Sequence, residues 1–143
     1  MSLRTKTLGL LCAACAAGYG YLDQRSEKVL SEVRPTIREV SYCAAKRLHD
    51  DKSNISFMAY HGHRTDAEHA TMLAKGVSWI KRSKHQDGKA VDVMAKVNGV
   101  GTWDHAPYYT IADAFYACGD ELKIRIIWGC TWKQKDCVHF EEK

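Results

Sequence analysis

The 143-residue chain carries 21 Lys and Arg against 17 Asp and Glu, a net charge of +4, with 45% hydrophobic residues and only two prolines. Those figures suit one folded domain and argue against a disordered or multidomain protein. The basic excess is scattered in short groups such as KRSK and KQK, which suits an anionic polymer. Neither a zinc-finger spacing nor an aromatic RNA-binding motif accompanies it, so no nucleic-acid partner is expected.

The first 25 residues differ in kind from the rest. Arg4 and Lys6 precede an uncharged stretch of 16 residues from Thr7 to Leu22, which stops at Asp23; this is the layout of an export signal. The stretch is rich in Ala and Gly and falls short of the roughly 20 apolar residues that span a bilayer comfortably. It is therefore expected to be either a cleaved signal or a marginal anchor, with residues 26–143 forming the working domain.

Beyond it, apolar residues recur at Val29, Leu30, Val33, Ile37, Val40, Ala44 and Leu48, close to the helical period. Pro35 is expected to start the main helix or kink it. Asn54 to Tyr60 alternates as a strand. Thr65 to Lys75 forms a short helix, with Thr65 and Glu68 composing a capping box and Gly76 ending it. GKAVDVMAKV is the next strand, and its period of two places Ala90, Asp92 and Met94 on one face. NGVGTWDHAP is expected as a loop, Pro107 to Cys118 as a helix, and LKIRIIW and CVHFEE as the last strands. Helices lying between strands imply an α+β fold with a small antiparallel sheet covered on one side by helices.

Six cysteines are many for a reducing compartment, whereas an oxidising periplasm would let them pair. The most favoured bridge joins Cys130 to Cys137 across the turn WKQK, although four body cysteines allow three pairings. Two short stretches carry the candidate chemistry. SKHQDGKAVD contains His85 and Asp92, and DCVHFE contains Asp136 and His139. A hydrolytic zinc site needs about three protein ligands and an open position; His85, Asp92 and His139 would supply the ligands, and Asp136 the general base. The seven histidines make chance pairings expected. His49, His61, His63, His69 and His105 compete as ligands, and His61 with His63, alternate on a strand, form the strongest rival pair.

SKHQDGKAVD and DCVHFE resemble the Ser-x-His-x-x-Gly-x-Ala-x-Asp and Asp/Glu-x-x-His motifs of the D-alanyl-D-alanine carboxypeptidase and L-alanyl-D-glutamate endopeptidase family of zinc peptidases, which shares its fold with the hedgehog signalling domains. GHRTDAEH, GVSWIKRSKH and IIWGCTW extend the likeness from about residue 29 to the C-terminus. The resemblance implies Zn²⁺ on His85, Asp92 and His139, Asp136 as base, Arg64 on the carbonyl oxygen or a substrate carboxylate, and Ser83 in support. Two departures stand out: His69 occupies a position where relatives often have Gln, and Cys130 replaces the second Gly of a Trp-Gly-Gly stretch. The implied activity is hydrolysis of the peptidoglycan stem peptide, between L-Ala and D-Glu, by a monomeric phage endolysin. The alternatives are a periplasmic D-Ala-D-Ala carboxypeptidase and a non-catalytic zinc-bearing binding module. The N-terminal stretch resembles a signal-arrest-release segment, which implies export to the host periplasm after tethering to the inner membrane. Cys12 and Cys15 would then be placed to exchange with a body disulfide.

Overall fold

The computed structural model describes residues 20–143. The expectations resting on Arg4, Lys6, Cys12, Cys15 and most of the apolar stretch lie outside the described residues. Among the described residues no helix is long and apolar enough to cross a membrane.

The amphipathic run after Asp23 divides into two helices, α1 (Gln24–Ser31) and α2 (Pro35–Asp50). Asp23 caps α1 by accepting from the Ser26 amide at 2.8 Å, so this helix begins two residues before the expected domain boundary. Pro35 opens α2 at a position where its missing N–H costs nothing. Arg38 of α2 reaches back to donate to the carbonyls of Leu30, Ser31 and Val33, filling acceptors that the end of α1 leaves open.

β1 (Ile55–His61) leads to α3 (Asp66–Ala74), whose capping box of Thr65 and Glu68 is present. Gly76, with φ of +69°, turns the chain after α3. β2 (Ala90–Val97) is followed by β3 (Val100–Thr102), where the sequence suggested only loop. Asn98 and Gly99 both have positive φ, and this pair makes the tight hairpin turn that allows β3 to form. The next helix, α4 (Ala106–Leu122), runs four residues past Cys118 and stops at Lys123 in the left-handed region. The strand expected over residues 122–128 is correspondingly short, β4 (Ile126–Trp128), because residues 122–125 serve the helix end and its turn. A short 3₁₀ turn (Gly129–Thr131) precedes β5 (His139–Glu142).

The sheet is antiparallel in order β1-β2-β5-β4, with β3 also on β2. Val91, Val93 and Ala95 of β2 join Phe57, Phe115 and Phe140 in the hydrophobic core beside α2 and α4. Phe115 stacks on Phe140 with centroids 4.1 Å apart. A disulfide between Cys43 and Cys118 ties α2 to α4. Between the β5-paired and β3-paired parts of β2, the buried Tyr108 hydroxyl accepts from the Ala95 amide and donates to the Val93 carbonyl. Since Val91, Val93 and Ala95 point to the helices, the alternate residue Asp92 faces the other way.

Candidate metal and catalytic centre

Register builds the centre. Asp92 sits opposite His61 on β1 and His139 on β5, so three residues from three strands stand in one row. His85 enters from the loop before β2. Asp92 Oδ1 lies 3.1 Å from His85 Nε2 and 3.0 Å from His139 Nδ1, and Oδ2 lies 3.2 Å from His61 Nδ1. Asp92 is only 9% exposed, and His85 and His139 are buried.

The loop that delivers His85 is held at several points. Its amide donates to Ser83 Oγ at 3.3 Å, and Ser83 itself is buried. Gly88, with φ of +67°, turns the backbone back toward β2, and its carbonyl accepts from the Arg34 amide. His85 Nδ1 is 2.7 Å from the Gly62 carbonyl, which can only accept. Nδ1 therefore carries a proton, and Nε2 is the atom that faces Asp92 and would be free to hold a metal. His139 is oriented in the same sense: Nε2 donates to Glu141 Oε2 at 2.8 Å, so Nδ1 is the atom that faces Asp92 and would be free to hold a metal.

Two imidazole nitrogens and a carboxylate oxygen thus meet at contact distance, an arrangement that either protons on the nitrogens or a cation among the three would satisfy. The donor set of imidazole nitrogens and one carboxylate suits a divalent metal, and the outer hydrogen bonds to Gly62 and Glu141 are of the kind that orient metal-binding histidines. Ligand atoms of His61, His85 and Asp92 all lie within 4.8 Å of one another. The structure therefore brings together the three residues marked as ligands in the sequence and adds His61, half of the rival pair. His63 is exposed and stands outside the cluster.

The charges respond accordingly. Burial works against ionising Asp92, but hydrogen bonds with His139, His61 and His85 prevail and hold its carboxyl well below the usual range. Burial likewise opposes protonating His139, yet bonds with Asp92 and Glu141 push it up to about 9.

Asp136 lies on the loop before β5. Burial, followed by the negative charge of Asp92, raises its carboxyl above the ordinary value, while His139 and His85 pull the other way. The loop is tight: the Asp136 amide donates to the Gly129 carbonyl at 3.0 Å, and the His139 amide to the Asp136 carbonyl at 3.2 Å. A Cβ on Gly129 would lie 2.4 Å from the Asp136 carbonyl oxygen, so only glycine admits this approach. Cys130 and Cys137 are joined across the same loop. Trp128 is buried in the core, with its indole donating to the Cys137 carbonyl at 2.8 Å, whereas Trp132 stands 5.1 Å from His139, ring to ring.

Arg64 follows β1 and is 6% exposed. Among the described residues it has no carboxylate partner, and its Nε–H has no acceptor. It borders a groove of about 340 Å³ shared with His61, His63, Glu68, Thr71 and Met72. Glu141 escaped the sequence reading, although its place two residues beyond His139 on a strand puts both on one face, a signal that was available.

An α+β domain with a buried His-Asp-His cluster, a carboxyl of raised pKa and a buried guanidinium that lacks a carboxylate partner among the described residues has the make-up of a small hydrolase. The family model for phage L-alanyl-D-glutamate peptidases matches residues 20–143, and the chain belongs to that family. It is 32% identical over 124 residues to the L-alanyl-D-glutamate peptidase of Escherichia phage T5, covering 84% of this chain and 87% of that protein. Among solved structures it is similar to the Serratia marcescens L-Ala D-Glu endopeptidase ChiX, with a TM-score of 0.74 and 35% identity over 84% of this chain and 87% of the other.

Proposed function

We propose that this protein is a zinc peptidase that hydrolyses the L-Ala-D-Glu bond of the peptidoglycan stem peptide, working as a phage endolysin. The observation that carries the reading is the convergence of His85, Asp92 and His139 beside Asp136 and Arg64, in a chain belonging to a peptidase family. His85 Nε2, Asp92 and His139 Nδ1 would hold the ion, with His61 next to them. When bound, zinc supplies Lewis acidity, which polarises a carbonyl and makes water easier to deprotonate near neutral pH.

The chain's own groups account for the remaining work. Asp136 takes a proton from the attacking water, and its raised pKa brings it nearer the working pH, where a base can also return the proton to the leaving amine. Negative charge growing on the former carbonyl oxygen is met by Arg64, whose buried guanidinium has no carboxylate among the described residues to cancel it. Export to the periplasm, after tethering by residues 1–25, belongs to the same reading and is supported by the charge layout of that stretch.

The test is digestion of purified peptidoglycan with the zinc-loaded full chain beside Asp136→Ala, with new termini identified by mass spectrometry. New amino termini on D-Glu, absent in the control, are expected. Release of free D-Ala would transfer the assignment to a carboxypeptidase, and absence of any product would favour a binding module.

A further inference from the structure

A buried arginine is normally held by a carboxylate, and among the described residues none holds Arg64. Its Nη1 lies 3.2 Å from His69 Nδ1 and its Nη2 lies 3.4 Å from His61 Nδ1. A guanidinium only donates, so each imidazole nitrogen must accept to hold it. His61 is poorly placed to do so, because the same Nδ1 is 3.2 Å from Asp92 Oδ2, an acceptor that competes for its single site. His69 has no such conflict. Its Nε2 is 2.9 Å from the Ile80 carbonyl, which fixes the proton on Nε2 and leaves the Nδ1 lone pair facing Arg64. His69 is 2% exposed, so water is not at hand to replace either bond.

We infer that His69 is the positioning residue of the anion-receiving site: as the neutral Nε2–H tautomer it aims Arg64 at the groove without cancelling its charge. An Asp or Glu in its place would hold Arg64 equally well but would neutralise it, and the site would lose its attraction for an oxyanion or carboxylate. A neutral acceptor backed by a main-chain carbonyl orients the cation and leaves its full charge for the ligand. The Ile80 carbonyl also links this support to the loop that continues to Ser83 and His85. The geometry stands by itself, while its kinetic consequence rests on the peptidase reading.

The experiment has two arms on the full chain. Nitrogen-15 NMR of the histidine rings reads the tautomer, with an unprotonated Nδ1 and a protonated Nε2 expected for His69. Kinetics on a stem peptide then compare His69→Gln, His69→Leu, Arg64→Ala and the Arg64→Ala/His69→Leu double variant. Gln has an oxygen to accept from Arg64 and an amide to donate to Ile80, so His69→Gln should keep most of the rate. His69→Leu should lose about 100-fold in kcat/KM, the scale of one lost oxyanion donor, and should cost nothing further once Arg64 is Ala. A proton on His69 Nδ1, a Gln variant as poor as the Leu variant, or a full additional loss in the Arg64→Ala background would each overturn the assignment. If wild-type protein cleaves nothing, the peptidase reading falls, and the ring tautomer still decides the role of His69.

Discussion

Replacing Glu141 by Gln tests whether the proposed zinc centre depends on a residue outside its ligand set. His139 offers Nδ1 to the centre only while Nε2 keeps its proton, and Glu141 Oε2, 2.8 Å away, holds that proton in place. The Glu141 side chain is only 13% exposed, so the bond is poorly screened and its charge counts toward the basicity of Nδ1. Gln keeps the shape and an acceptor but removes the charge. Loss of such an outer partner costs roughly 10- to 100-fold in metal affinity, which is about 1.4 to 2.7 kcal/mol at room temperature. Competition against a chromophoric zinc chelator at fixed pH measures it directly. An affinity equal to wild type in a properly folded Glu141→Gln protein would show that His139 is oriented by something else, or that it does not ligate.

Asp136→Asn should leave zinc affinity near wild type and reduce turnover by about 100-fold or more, the scale of a lost general base; a fall in affinity matching the fall in rate would make Asp136 a ligand instead. The raised His139 pKa sets a pH dependence for chelator-treated protein. Its folded value of about 9 lies above the ordinary 6.5, so the stabilisation is complete below about 6.5 and disappears as pH rises through about 9. Thermal midpoints should decline across that window, and a flat profile would contradict the assigned hydrogen bonds. The two disulfides should differ in worth: the 75-residue separation of Cys43 and Cys118 predicts about 4 kcal/mol from loop entropy, and the 7-residue separation of Cys130 and Cys137 about 2. Urea titrations of the two paired Cys→Ser variants should follow that order.

Much of the domain is legible along the chain because short-range rules govern it. Thr65 and Glu68 make the capping box, Pro35 starts its helix, and the alternation around Asp92 separates the face toward the helices from the face of the site. The β3 hairpin was equally local, since Asn98 and Gly99 are a turn pair, but the adjoining Thr-Trp-Asp stretch obscured it. The length of β4 was not local. Where α4 stops depends on Gly119, whose missing side chain lets the Ile124 carbonyl approach to 2.6 Å of where a Cβ would sit. The motifs placed His85, Asp92, Asp136 and His139 as candidates, but a motif states which residues matter without stating what surrounds them.

Only strand register brings His61 and His139 to Asp92 from 31 and 47 residues away. Tertiary packing alone decides that Arg64 is buried beside a neutral His69 whose second nitrogen is held by Ile80. Caps, turns and periodicity are short-range properties and can be read from neighbouring residues. Tautomers, charge pairing and the supply of hydrogen-bond partners to a buried group depend on what the folded chain excludes from water, and so they belong to the structure.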